Sequence, residues 1–230
     1  MTDLAATGND NGLSSGVSIY TTNIWLVTGI TCLVYLFFNW YLQTQILTDQ
    51  VYTYSLGRQV NPDKLAAFLQ GQHRMVLVSY LVVPLTLLVK VSLVSLCLLT
   101  GLLLTSLKLP FSTLMRIVLF AESAFVTGTL LRLLILAFSR NVESLGQYMS
   151  FAPLSLYSLF QPSSVPNWLT YPLQTLDIFQ AGYVLLLAAG LRYYIGQPFR
   201  KMLGLVLMSY GLGLACCMIG FAFISISFNP

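Results

Sequence analysis

Between Met75 and Ser139 the chain runs through two long apolar arms, broken once at Lys108–Thr113. Arms this long and apolar exceed what a soluble core takes, and each is longer than the ~20 residues needed to cross a hydrocarbon layer. Both nevertheless carry ionisable residues well inside: Lys90 in the first, then Arg116, Glu122 and Arg132 in the second. A charge within an apolar span faces a partner or a wet cavity rather than lipid. The hairpin therefore predicts a polytopic membrane protein enclosing polar groups. Composition agrees, with 57% apolar and 8% charged residues against about 25% charged in a soluble domain.

Five spans are expected, at about 23–43, 75–107, 111–139, 176–195 and 202–225. They make one membrane domain over 23–225, between a disordered polar tail at 1–22 and a short C-terminal tail at 226–230. Uninterrupted apolar runs exclude the period-two alternation of a β-barrel. Trp25, Trp40 and Tyr41 sit where interfacial aromatics are favoured. Pro84 removes an N–H that would bond the Tyr80 carbonyl, so it predicts a kink in the second span. Gly182, Ala188-Ala189-Gly190, Gly204, Gly211 and Ala215 are small enough to let backbones approach closely.

Two longer loops separate the spans. In Thr44–Arg74, Asn61 can cap, Pro62 suits the first helical position and Gly71 can terminate, which predicts a short helix with Leu65, Phe68 and Leu69 on one face. It fits a helix lying in the interface or one packed on protein. In Arg140–Gln174, the stretch Ser150–Gln161 is aromatic and apolar but too short to cross. Four prolines (Pro153, Pro162, Pro166 and Pro172) interrupt the loop, so a surface-lying or re-entrant segment is expected, with Trp168 and Tyr171 as anchors. The fold class is thus an all-α helical bundle with short interfacial helices in its two longer loops.

The net charge of +4 comes from 11 basic and 7 acidic residues. No basic run extends beyond Arg200-Lys201, so nucleic acid is not an expected partner. The partners expected are the bilayer itself, other membrane proteins or further copies of the chain. Lys108, Arg192, Arg200, Lys201 and Arg116 fall on the side of the N-terminus, and Arg58, Lys64, Arg74 and Arg140 on the other. The cluster around residues 192–201 tilts the positive-inside rule towards a cytoplasmic N-terminus.

Catalytic constellations are missing. His73 is the one histidine, and Cys32, Cys97, Cys216 and Cys217 lie in apolar segments without C-x-x-C spacing, which suits packing rather than metal or redox chemistry. No nucleophile elbow, P-loop or H-E-x-x-H occurs. Glu122 is the sole mid-span carboxylate, where an intramembrane aspartyl protease needs two. The chain therefore reads as a non-enzyme without a cofactor or metal.

What remains is the set Lys90, Arg116, Glu122, Arg132 and Asp177. Counted from Lys108, Lys90 and Glu122 lie roughly 27 and 21 Å deep, so their side chains can meet across the hairpin. Arg132 lies nearer the opposite interface, where Asp177 opens the fourth span. Such pairs either fix helix register or form an ion, proton or substrate site.

The run Tyr171-Pro172-Leu173-Gln174-Thr175-Leu176-Asp177-Ile178-Phe179, with Tyr183-Val184-Leu185-Leu186-Leu187-Ala188-Ala189-Gly190-Leu191, resembles the fourth-span region of bacterial members of the Yip family. Pro84–Gly101 and Ile117–Glu122 are similar to uncharacterised inner-membrane proteins of Bacteroidetes type placed near that family. The resemblance implies a five-span protein of the bacterial inner membrane with a cytoplasmic N-terminus and no known catalysis. The Asp-Leu-Tyr-Gly-Pro motif of the Rab-binding eukaryotic members is missing, so Rab binding does not transfer. Together these features predict a membrane protein that scaffolds or organises partners. The alternative is a small transporter or permease subunit using Lys90, Glu122 and Arg132.

Overall fold

The structure, a computed structural model, describes residues 24–46, 48–56, 62–139, 148, 151–161 and 165–228. The expected tail at 1–22, the Asn61 cap, Arg58 and Arg140 lie outside these residues. Among the described residues every regular element is helical, apart from one isolated bridge between Ser155 and Asp177. Helix α1, Ile24–Tyr41, runs on through a π-helical turn at Leu42–Ile46. Then come α2, Asp49–Leu56, α3, Pro62–Leu104, α4, Phe111–Ala121, and α5, Ser123–Ser139. A 3-10 turn at Leu156–Leu159 precedes α6, Asn167–Thr175, and α7, Ile178–Ile195. Finally α8, Phe199–Val206, passes through a π-helical turn at Leu207–Gly211 into α9, Leu212–Phe228.

Five stretches are long and apolar enough to cross a membrane: Trp25–Ile46, Val78–Leu104, Phe111–Phe138, Ile178–Ile195 and Phe199–Ser227. The expected bundle is therefore present, with boundaries close to those read from hydropathy. Five crossings give the bundle two ends. The turn end carries the tight connections after Leu104 and Ile195, and the loop end carries the two longer loops.

The first long loop differs from expectation. Residues 65–71 form no separate helix, because α3 starts at Pro62 and continues through Gly71 and Pro84 for 43 residues. That is about 65 Å, twice what the hydrocarbon layer needs, so α3 projects well past the bilayer at the loop end. A lone glycine costs a helix interior only about 1 kcal/mol; without a capping geometry it does not end one. The short helix of this loop is α2 instead, and Tyr52 from it meets Phe68 of the α3 projection with ring centroids 5.9 Å apart. In the second loop Ser150–Gln161 does not span, and its described part is zipped onto the start of the fourth span. Leu156 donates to the Leu176 carbonyl at 2.9 Å and Ile178 to that of Leu154 at 3.3 Å. Leu154 takes a left-handed φ of 62°, an uncommon state for a leucine.

Spans two to five share one dry core. Leu98 and Leu102, Ile117 and Val118, Leu187 and Leu191, and Met202 and Val206 are essentially inaccessible and packed together. The first span is peripheral: Cys32 and Tyr35 pack against that core, while Trp25, Ile30, Leu33 and Phe37 face outwards. In lipid the outward apolar face is solvated, and close packing and hydrogen bonds hold the helices together. Gly190 provides one such approach, since a Cβ there would lie 2.5 Å from Ile117 Cγ2. Gly204 does not act as expected, because nothing lies within 4 Å of its would-be Cβ. Gly196, with φ of 73°, ends α7 in the left-handed cap that glycine favours, its N–H on the Arg192 carbonyl at 2.8 Å. Cys32 and Cys97 are half-buried, whereas Cys216 and Cys217 are exposed on the outer face.

Gly190→Ala is expected to destabilise the bundle by about 1–3 kcal/mol through overpacking, and Ile117→Ala in the same chain should recover part of that loss. Gly204→Ala should be neutral or gain up to about 1 kcal/mol from helix propensity. Thermal unfolding of the three variants in one detergent checks the ranking.

Candidate functional site

At mid-depth the third span changes helix: α4 ends at Ala121 and α5 begins at Ser123, with Glu122 between them in a right-handed helical conformation. Its N–H bonds the Val118 carbonyl at 3.0 Å and its carbonyl accepts from Val126 at 2.9 Å, so the span continues through the junction. The Glu122 side chain is completely buried. Its Oε2 accepts from Lys90 Nζ at 3.1 Å and from the Tyr35 hydroxyl at 3.4 Å. Three spans therefore converge on one carboxylate oxygen. Lys90 Nζ also stands 3.8 Å from the centroid of the Phe125 ring and 5.6 Å from that of Tyr183. An aromatic face replaces part of the water an ammonium loses in such a place.

The polar path continues into the other two spans. Tyr183 is fully buried and packs at a tilt against Phe125, with ring centroids 4.7 Å apart, and against Tyr210, 5.4 Å apart. Gln180 Nε2 donates to the Tyr210 hydroxyl at 2.8 Å, and both residues are buried. Tyr210 lies in the π-helical turn of the fifth span. That turn is a local departure of the kind often found at functional positions. Two buried oxygens in this path, Glu122 Oε1 and the Tyr183 hydroxyl, complete no well-aligned hydrogen bond among the described residues, although the two groups lie within interaction range of each other. A buried network left partly unsatisfied stabilises less than a complete one.

Among the described residues, access to the centre is from one side. A cleft of about 380 Å³ between the first two spans runs past Asn39 and Thr86 to Tyr35, Lys90 and Glu122. Asn39 Nδ2 donates to Ser79 Oγ at 2.9 Å across it. The Lys90 side chain keeps 41% of its surface exposed. Towards the turn end the path is closed by Val91, Leu98, Leu114 and Ile117, all buried.

The other expected charges fall elsewhere. Arg116 is exposed near the start of the third span and is not a buried charge; a long stem there can carry its head to the interface. Arg132 and Asp177 make no ion pair, contrary to expectation, although both line one small pocket at the loop end. Arg132 Nη2 instead donates to the Tyr148 carbonyl at 3.3 Å, with the guanidinium 5.2 Å from the Tyr148 ring. Asp177 caps the fourth span, accepting from the Gln180 N–H at 2.6 Å. Burial raises its carboxyl above the usual range, against the opposing pull of the Gln180 and Phe179 N–H groups. No cluster of three potential metal ligands occurs among the described residues. Tyr35, Gln180, Tyr183 and Tyr210 were not singled out as site residues from sequence. The one signal for the latter group is the i, i+3 spacing of Gln180 and Tyr183, which shares a face in an otherwise aliphatic span.

Compared with known proteins, the chain matches no family model, no curated protein and no solved structure.

Replacing one partner of a buried pair costs about 3–5 kcal/mol, whereas replacing both approaches neutrality. Lys90→Leu strands a fully enclosed carboxylate. Glu122→Leu leaves an ammonium that can turn into the cleft and stay on Phe125. Lys90→Leu should therefore be the more damaging single change, and the double variant should recover much of the folded yield. Tyr35→Phe removes only a long hydrogen bond, worth up to about 1 kcal/mol. Folded yield by size-exclusion chromatography across these four variants measures the pattern.

Proposed function

We propose that this chain is a non-enzymatic integral membrane protein that organises partners in the bilayer, of the Yip-like type. The observation that supports this reading is the lateral cleft beside the first span. It leaves Lys90 half-exposed in the middle of a membrane-spanning helix, next to Asn39 and Thr86. A cation at that depth is costly against lipid alone. A transmembrane partner offering a carboxylate or hydroxyl would cover it, and polar side chains join helices across membranes in this way. The loosely packed first span and the loop-end projection of α3 add surface for such partners. The membrane in question is the bacterial inner membrane, with the N-terminus in the cytoplasm. The Yip-like resemblance and the basic cluster at Arg192, Arg200 and Lys201 support that placement.

A second reading, a small transporter or permease subunit, draws on Glu122 at the bottom of a cleft that, among the described residues, opens from one side, with its Oε1 in no well-aligned hydrogen bond. Reconstitution separates the two. A photo-crosslinking residue at Val83, which lines the cleft, should join the chain to a second polypeptide in native membranes. The same residue at Leu104, exposed to lipid at the turn end, should not. Purified protein in sealed vesicles should carry no proton or monovalent-ion flux. A flux abolished by Glu122→Gln, with no Val83 adduct, would overturn the organiser reading in favour of transport.

A further inference from the structure

The second polar place in the molecule is at the loop end, where Arg132 and Asp177 face a common pocket without touching. The pocket holds about 190 Å³ and is walled by the last turns of the third span, the 151–155 segment and the start of the fourth span. Thr129 and Gln174 also line it. An engineered cavity of about 150 Å³ takes a benzene, so this volume suits a group of slightly more than six heavy atoms. Its two charges are of opposite sign and do not neutralise each other directly. Among the described residues the Arg132 hydrogen bond to the Tyr148 carbonyl uses one donor of a group that has five, and its Nε is buried without a partner. Asp177 holds its own backbone cap through Oδ1. A carboxylate has about four acceptor sites in all.

Depth orders the two charges. Arg132 lies six residues before Phe138, about 9 Å inside the end of the third span. Asp177 immediately precedes the first residue of the fourth span. The site for an anion is thus the inner one and the site for a cation the outer one. Beside this pocket, sharing Ser155 and Asp177 with it, runs an apolar groove of about 870 Å³ between the fourth and fifth spans, lined by Val184, Leu185, Leu214 and Met218. A polar pocket with an inner cation and an outer anion, next to an apolar groove, has the layout of a phospholipid whose phosphate is inboard of its ammonium.

We propose that the pocket between Arg132 and Asp177 binds a compact zwitterion, the headgroup of a phospholipid bearing a primary ammonium, with its phosphate on Arg132 and its ammonium on Asp177. Ser155 and Asp177, bridged where the 151–161 segment zips onto the fourth span, border both pocket and groove, and Leu154 beside them lines the groove in a left-handed conformation. Backbone strain of this kind persists where the surroundings enforce it. The proposal concerns the loop end and is independent of what the Lys90–Glu122 centre does.

The test uses the purified full chain and native mass spectrometry after exchange into three mixtures: vesicle-derived phosphatidylethanolamine, phosphatidylglycerol, and free phosphoethanolamine. Retention of phosphatidylethanolamine over phosphatidylglycerol is expected. Each variant removes a charged hydrogen bond to the headgroup, so Asp177→Asn and Arg132→Gln should each weaken retention by roughly tenfold or more. Asparagine caps helices as well as aspartate, so Asp177→Asn keeps the fold while removing the charge. A melting temperature equal to that of the unaltered chain verifies it. Retention of free phosphoethanolamine with loss in both variants supports the zwitterion site but transfers it from a lipid to a soluble ligand. Equal retention of the anionic and zwitterionic lipids, or no change in a folded Asp177→Asn chain, overturns the proposal.

Discussion

The contact on which the bundle depends is the 3.1 Å pair between Lys90 and Glu122. A carboxylate with no exposed surface could not persist at the middle of a membrane span without a cation beside it. The second and third spans are joined at the turn end by a short connection, and the pair fixes their register at mid-depth. Tyr35 brings the first span to the same oxygen, and Phe125 and Tyr183 carry the aromatic wall on to Tyr210 and Gln180. Glu122 is thus met directly from the first two spans, and an aromatic and polar path leads from it to the fourth and fifth, in a bundle whose other contacts are mostly apolar. Apolar helices in lipid have many packings of similar energy, and a charge pair with an enclosed carboxylate disfavours those that would separate its partners.

The two ends of the bundle divide the remaining work. At the turn end the connections are short and the core below the pair is sealed by aliphatic side chains. At the loop end α3 projects, α2 packs on it through Tyr52 and Phe68, and the 151–161 segment is hydrogen-bonded to the start of the fourth span. The cleft to Glu122, the Arg132–Asp177 pocket and the apolar groove all lie towards this end.

Much of this was legible in the sequence, and the physical reasons differ by element. The spans were readable because some 20 apolar residues have no other solvent than lipid. The meeting of Lys90 and Glu122 followed from counting helical rise away from Lys108. The fate of residues 62–71 was not readable, because Asn61, Pro62 and Gly71 are equally compatible with a short capped helix and with the first turns of a long one. Arg132 and Asp177 were rightly placed at one end, but sequence spacing does not distinguish a direct pair from two charges across a pocket. Tyr183, Tyr210 and Gln180 escaped notice because single polar residues in a span carry meaning only once their neighbours in other helices are known. Gly204 failed as a packing residue for the same reason, since smallness permits close approach without requiring it.

A direct contact between Lys90 and Glu122 inside the bilayer is open to one spectroscopic measurement. The chain has four lysines and two glutamates, so labelling lysine Nζ with nitrogen-15 and glutamate Cδ with carbon-13 is nearly site-specific. Dipolar recoupling by solid-state NMR on protein in lipid bilayers should show one lysine nitrogen strongly dephased by a glutamate carbon. Glu122→Gln, which removes that labelled carbon, should abolish the signal while Glu143→Gln leaves it unchanged. A spectrum with no dephased lysine in folded protein would show that Lys90 and Glu122 are not in contact.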